Sequence, residues 1–184
     1  MKIFIIAALF FSLQSLSKAE DIREFQIEGF SIGDSLLDYY SKDKIIDSKI
    51  KDQYKSKKFY AISIEDNKFE NYEAMYFQLK ANDNNFIIYS MSGIIAMEIN
   101  KCLKKRKKIF NSIKTLFDDP KIYDEGRREH PGYKNGYTHD LYIVVNSDAI
   151  AVSCYEFTDK NRVEELLISV DSEEFNNFLK NEAH

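Results

Sequence analysis

The sequence predicts an α+β fold in which antiparallel meander strands are covered on one face by helices, and three observations carry that reading. Apolar or aromatic residues recur at every second position in Tyr60, Ile62 and Ile64, again in Met75, Phe77 and Leu79, and again in Leu141, Ile143 and Val145. These runs follow one another across short polar turns and do not alternate singly with helices, which is the pattern of antiparallel meanders. Over residues 100–117 the spacing changes: Cys102, Leu103, Ile109, Phe110, Ile113, Leu116 and Phe117 line one face of a helix. Finally, Asp171 and Glu174 have capping-box spacing ahead of Phe175, Phe178 and Leu179, the inner stripe of a closing helix.

Composition sets the class. Hydrophobic residues make up 44% of the 184 positions and charged residues 30%, which excludes a disordered chain. With 6 Gly and 2 Pro the chain is neither collagenous nor low-complexity. The 26 basic residues against 30 acidic ones exclude a nucleic-acid binder driven by overall charge. No Trp is present, so 14 Phe and 12 Tyr supply the bulky core.

The elements follow in the order α(α)βββ-αβββα. Residues 27–35 read as an opening turn into a helix, with Ser31 and Asp34 at capping-box spacing and Leu36, Leu37 and Tyr40 as the first apolar stripe. Ser41 caps a second short helix carrying Ile45, Ile46 and Ile50. Residues 81–85 form a hairpin loop by composition, and a long strand runs from Phe86 to Ile99 with Gly93 as a bend or bulge. In the helix over 100–117, Lys101, Lys104, Lys105, Lys107 and Lys108 face away from the apolar stripe. Arg106 falls on the stripe, so its stem is expected to bury while its guanidinium reaches outward or pairs with an acid. Residues 118–140 read as a long polar loop, and disorder is the expectation for it. Strands over 141–145, 150–154 and 163–170 precede the last helix. The halves 27–99 and 100–184 look like a loose structural repeat within one domain, 20–184.

The first segment is an address. Lys2, an apolar run from Ile3 to Phe11 and the small-x-small site Ser17-Lys18-Ala19 make a secretory signal peptide over 1–19. The apolar run is too short for a membrane span of ~20 residues. The expected product is an exported domain, periplasmic or secreted, with no membrane span after cleavage. In such a compartment Cys102 and Cys154 form either a disulfide or two buried free thiols.

Few residues suggest chemistry. His130 and His139 stand near Asp124, Glu125, Glu129 and Asp140, the one place where metal-ligand types crowd together. No HExxH or comparable spacing orders them, so no metal is expected. No GxSxG elbow is present and Cys154 lies on an apolar strand face, so no catalytic residue and no cofactor are expected. The lysine run offers a surface to an anionic envelope component, though amphipathic spacing already accounts for it as a solvated helix face. Tyr133 and Tyr137, with Arg127, Arg128, His130 and His139, are the candidate partner contacts in the 118–140 loop.

Several stretches resemble small exported bacterial proteins of uncharacterised function. They are residues 29–40, from Gly29-Phe30-Ser31 to Asp38-Tyr39-Tyr40, then Tyr89-Ser90-Met91-Ser92-Gly93-Ile94, Asn100-Lys101-Cys102-Leu103, Val152-Ser153-Cys154-Tyr155-Glu156 and the closing Ile168 to Phe175. That resemblance implies an exported α+β protein and favours a Cys102–Cys154 bridge. A helix led by Gly-x-Ser and followed by three antiparallel strands is remotely similar to BamE-like envelope modules, which implies a fold and no site. The expected function is a non-enzymatic domain that binds an envelope protein or anionic envelope component. The alternative is an envelope hydrolase or metal-dependent enzyme using the 118–140 loop.

Overall fold

Seven strands form one antiparallel sheet: β1 (Phe59–Ile64), β2 (Ala74–Lys80), β3 (Ile88–Ala96), β4 (Lys121–Glu129), β5 (Gly136–Val145), β6 (Asp148–Phe157) and β7 (Glu165–Asp171). Their spatial order is β1-β2-β3-β7-β6-β5-β4, so two meanders meet where β3 pairs with β7. The helices are α1 (Lys42–Asp47), α2 (Ile99–Lys114) and α3 (Glu173–Asn181). The computed structural model describes residues 20–51, 53–130, 133–159 and 161–183; the signal peptide predicted over 1–19 lies outside the described residues.

The mixed α+β class and the antiparallel meanders agree with the sequence reading, but the second half has four strands and the first three. The segment read as a loop over 118–140 is β4, a turn and the start of β5, paired from Lys121↔Val144 to Glu129↔Tyr137. All nine β4 residues are exposed. An edge strand that buries neither face needs no alternating apolar residues, so its strand character rests on backbone pairing that the side chains do not announce. Its charges also discourage edge-to-edge association. At the other end, the first predicted helix is a single 3-10 turn, Leu36–Asp38, capped by Ser35. The Asp34 carboxylate does accept from the Ser31 amide at 2.9 Å, but it closes a turn there and also accepts from the Tyr39 hydroxyl at 2.7 Å.

The alternating apolar residues bury one face of the sheet. Ile62, Met75, Phe77, Met91, Leu141, Ile143, Ile150, Val152, Leu166 and Val170 all belong to this core. Phe30, Ile32, Leu36 and Ile45 of the N-terminal segment cover it over β1–β3, with the Phe30 and Phe77 rings 4.9 Å apart, while the turn that carries Ile22 lies against β6. Over β5–β7 it is covered by α2, which buries Cys102, Arg106, Phe110 and Ile113. Cys102 and Cys154 form a disulfide joining α2 to β6, their Cα atoms 5.9 Å apart. Arg106 buries as expected, but Nε and Nη1 find no hydrogen-bond partner among the described residues, and the residue is only 5% exposed.

Gly93 is not a bulge; its register with Met75 and Ile168 is regular, and the irregularity of β2 and β3 lies at Gln78/Leu79. Its bare Cα is the seat of the Tyr72 ring, into which a Cβ would intrude. Gly93→Ala is expected to cost roughly 3 kcal/mol, the high end for overpacking, because the overlap reaches Cγ of a Tyr72 ring that is itself packed against the core. Urea denaturation with an unchanged midpoint would refute this.

The opposite face is covered at one end by α3. Phe178 packs 4.9 Å from Phe59 and 5.1 Å from Tyr54, and Tyr89 stands 5.3 Å from Phe59. The cap of α3 is Ser172 and not Asp171: Ser172 accepts from the Phe175 amide. Asp171 is still strand, paired with Ser90 and Ala149, and its carboxylate is engaged on this second face. Among the described residues no helix is long and apolar enough to cross a membrane.

Candidate functional site

Register and the two-residue period of strands place the remaining side chains on the second face. One row runs Tyr76, Ser92, Ser169, Ala151, Tyr142 across β2, β3, β7, β6 and β5. The rows beside it are Gln78, Ser90, Asp171, Ala149 and Ile94, Leu167, Ser153, Asp140. A fourth carries Glu165, Tyr155, Thr138 and Arg128. Small residues thus form a floor and tyrosines stand around it. Although α1 and α2 lie on the other face, Ser90 is only 4% and Ser153 only 6% exposed. Ser90 lies toward the end covered by α3, which contacts β3 and β6. Tyr76 on β2 feels the Tyr133 hydroxyl of the β4–β5 turn, from the far side of three intervening strands. This face is therefore a trough, as the twist of a long antiparallel sheet allows.

Its acids are unevenly compensated. Asp140 accepts from Thr138 Oγ1 at 2.8 Å and from Arg128 Nη2 at 2.9 Å. Arg128 also pairs with Glu125 and donates to the Tyr142 hydroxyl. Asp171 accepts only hydroxyls in its carboxylate, from Ser90 at 2.6 Å and Ser169 at 3.1 Å. Burial pushes the Asp171 carboxyl up to about 6, against the two hydroxyl bonds that favour its ionised form. Glu165 is raised by burial and then by Glu73, with Arg162 acting in the opposite sense, and its carboxylate makes no hydrogen bond to a described side chain. Burial first, and then Asp140, raises the Tyr142 and Tyr155 phenols, so both are neutral at pH 7. The Ser153 hydroxyl and the Tyr155 phenol have no hydrogen-bond partner among the described residues.

Because the folded value of Asp171 stands above that of an ordinary carboxyl, ionising it opposes folding. Its contribution to stability is therefore expected to fall as pH rises from about 4 to about 6. A carboxyl-carbon NMR titration of Asp171 checks this, and a midpoint near 4 would contradict it.

The candidate contact residues divide between the two faces. Arg128, His130 and Tyr133 belong to the trough. His130 stands 4.9 Å from Tyr155 and 4.5 Å from Tyr133, and burial lowers its pKa. Arg162 lies 4.2 Å over the Tyr133 ring and closes this end. Arg127, Tyr137 and His139 face the other way, beside α2. Arg127 grips Glu156 with Nε at 3.0 Å and Nη2 at 3.1 Å while lying 3.2 Å over the Tyr137 ring. His139 Nε2 is 2.9 Å from the same carboxylate, and the two partners, Arg127 first, hold Glu156 down at about 2. That cluster satisfies itself and leaves little for a ligand.

His130 and His139 are thus separated by the sheet and do not converge on one ion. Among the described residues no group of three or more His, Cys, Asp or Glu is placed to hold a metal. The lysines of α2 are exposed on a solvated helix face.

Sequence reasoning missed Ser90, Ser92, Ser153, Ser169, Tyr76, Tyr142, Tyr155 and Asp171. A signal was present: the off-phase positions of β3, β5, β6 and β7 carry Ser, Thr, Ala, Tyr, acids and the apolar Ile94 and Leu167 but no Lys or Arg, where a solvated face carries cations as well. The chain matches no protein-family model, and neither a curated protein nor a solved structure shows significant similarity to it.

Proposed function

We propose that this is an exported, non-enzymatic binding domain and that the trough of its sheet, not the basic face of α2, receives the partner. The observation that carries the reading is a largely polar sheet face that α3 covers only at one end, on which the Ser153 hydroxyl and the Tyr155 phenol make no hydrogen bond to another described residue. Hydroxyls that bond to no other protein group on a half-covered sheet face are open to a partner. The Cys102–Cys154 disulfide and the basic–apolar–small pattern of residues 1–19 support export.

A photo-crosslinking residue at Tyr142 or Tyr76, compared with one at Lys105, tests the location in the native envelope. Adducts of one defined mass are expected from the trough positions alone. Adducts from Lys105 alone would transfer the site to the helix. Intact mass bears on export, since a processed chain begins at Glu20.

A further inference from the structure

We propose that a cavity at the β1 edge of the sheet binds a small ring-bearing phosphomonoester. Its phosphate would lie among Lys49, Lys51 and the Phe59 amide, and its ring against Tyr54 and Tyr60. The site stands at the opposite edge from β4 and does not rest on the reading of the trough. Residues 49–58, which build it, carry five lysines and a single acid, Asp52, in a chain of net charge −4. The segment pairs with β1 only at its start. Ile50 donates to the Ala61 carbonyl at 2.9 Å, and Ser63 donates to the Ser48 carbonyl at 3.0 Å. Beyond Ile50 the chain leaves the strand before it returns as β1. The cavity so formed has a volume of about 390 Å³, within the range of small-molecule sites.

The first support is charge. Lys49, Lys51 and Lys57 line the cavity, and among the described residues no acid does. Lys49 Nζ lies 4.2 Å from the centre of the Tyr60 ring, a contact that leaves its charge intact. Asp83, whose charge reaches the Tyr60 phenol, is held by the Asn85 and Ile87 amides of its own turn. The second support is a backbone donor. Odd-numbered residues of β1 turn their amides away from β2, as the Ser63 bond shows, while the Lys58 carbonyl accepts from Ala81 on the β2 side. Phe59, which lines the cavity, therefore directs its N–H outward beyond the end of the 48–50 pairing. It meets no acceptor there among the described residues, and such an edge amide can donate to an oxyanion. The third support is residue type. Lysines act as point charges suited to a compact phosphate, whereas a planar carboxylate is matched by the arginine fork, and no described arginine lines the cavity. The rest of the wall is aromatic. Tyr54 packs edge-on 5.1 Å from Phe178 and donates its hydroxyl to Gln78 at 3.1 Å, so its ring is fixed before a ligand arrives.

Amide NMR of the full processed chain, titrated with phenyl phosphate into the millimolar range at low salt and neutral pH, tests the assignment. Saturable shifts are expected at the Phe59 and Tyr60 amides. The apparent Kd should rise at least fivefold in Lys51→Gln and at least tenfold when Lys49→Gln is added, and stay unchanged in Lys105→Gln on α2. Lys49 and Lys51 are both exposed, so these variants keep the fold, which circular dichroism checks. Absence of saturable shifts would overturn the proposal. So would an equal loss in Lys105→Gln, which would reduce the effect to overall charge. Benzoate binding as tightly as phenyl phosphate would overturn phosphate as the group recognised. Inorganic phosphate binding as tightly would overturn the role of the aromatic wall, and with it the ring-bearing ester.

Discussion

Replacing Cys102 and Cys154 together by alanine is expected to lower the unfolding free energy by about 4 kcal/mol, the loop-closure entropy for a bridge of this span. The bridge joins residues 52 apart and encloses most of α2 with all of β4 and β5. Without it, the denatured chain regains freedom over just the segment that contains the fully exposed edge strand. Both cysteines are completely buried, so the substitution also removes sulfur from the α2–β6 contact. Against a total stability of ~5–15 kcal/mol, this loss can bring the protein close to unfolding at body temperature. Urea denaturation of the wild-type protein, the reduced protein and the double variant measures it. A loss below about 1 kcal/mol would mean that packing of Phe110, Ile113 and their neighbours, not the crosslink, holds α2 on the sheet. The bridge lies on the helix-covered face, so whatever remains folded should retain the trough.

The parts of this fold legible in the sequence are those in which one periodicity meets one buried face. Ile62, Met75, Phe77, Ile143, Ile150 and Val152 alternate because only one side of their strands enters the main core. The stripe on α2 is visible because it packs on a single sheet face. The strand β4 was hidden because an exposed edge carries no alternation. The Ser31–Asp34 pair was misleading because the same hydrogen bond serves a turn or a helix start. The trough was hidden for a different reason: it is made by strand order. Ser92 and Ser169 become neighbours only when β7 returns to pair with β3, and local spacing does not encode that partnership. The candidate contacts in 118–140 were half informative, since a hairpin sends alternate residues to opposite faces. Arg128 and Arg127, adjacent in sequence, therefore serve different surfaces.

Arg106→Met is expected to stabilise the protein by about 1–3 kcal/mol, in the range found when buried ionic groups give way to apolar side chains of similar length. The residue lies one turn beyond Cys102 on the buried side of α2, and two of its guanidinium nitrogens are sealed from solvent without a partner among the described residues. Burial lowers its pKa, while Asp124 and Asp140 act on it electrostatically without bonding to it. Such partial compensation leaves most of the desolvation cost in place, whereas methionine would fill the same path with no polar atom to satisfy. Thermal and urea unfolding of the variant decide the sign. If Arg106→Met instead costs more than 1 kcal/mol, the attraction of the two acids outweighs desolvation. A double-mutant cycle with Asp124→Asn then locates the effect. Coupling of 1 kcal/mol or more would tie the buried guanidinium to the edge strand, making Arg106 the support that holds β4 against α2. Coupling near zero, with a stabilised Arg106→Met, would leave the charge as a cost that packing around Phe110 carries alone.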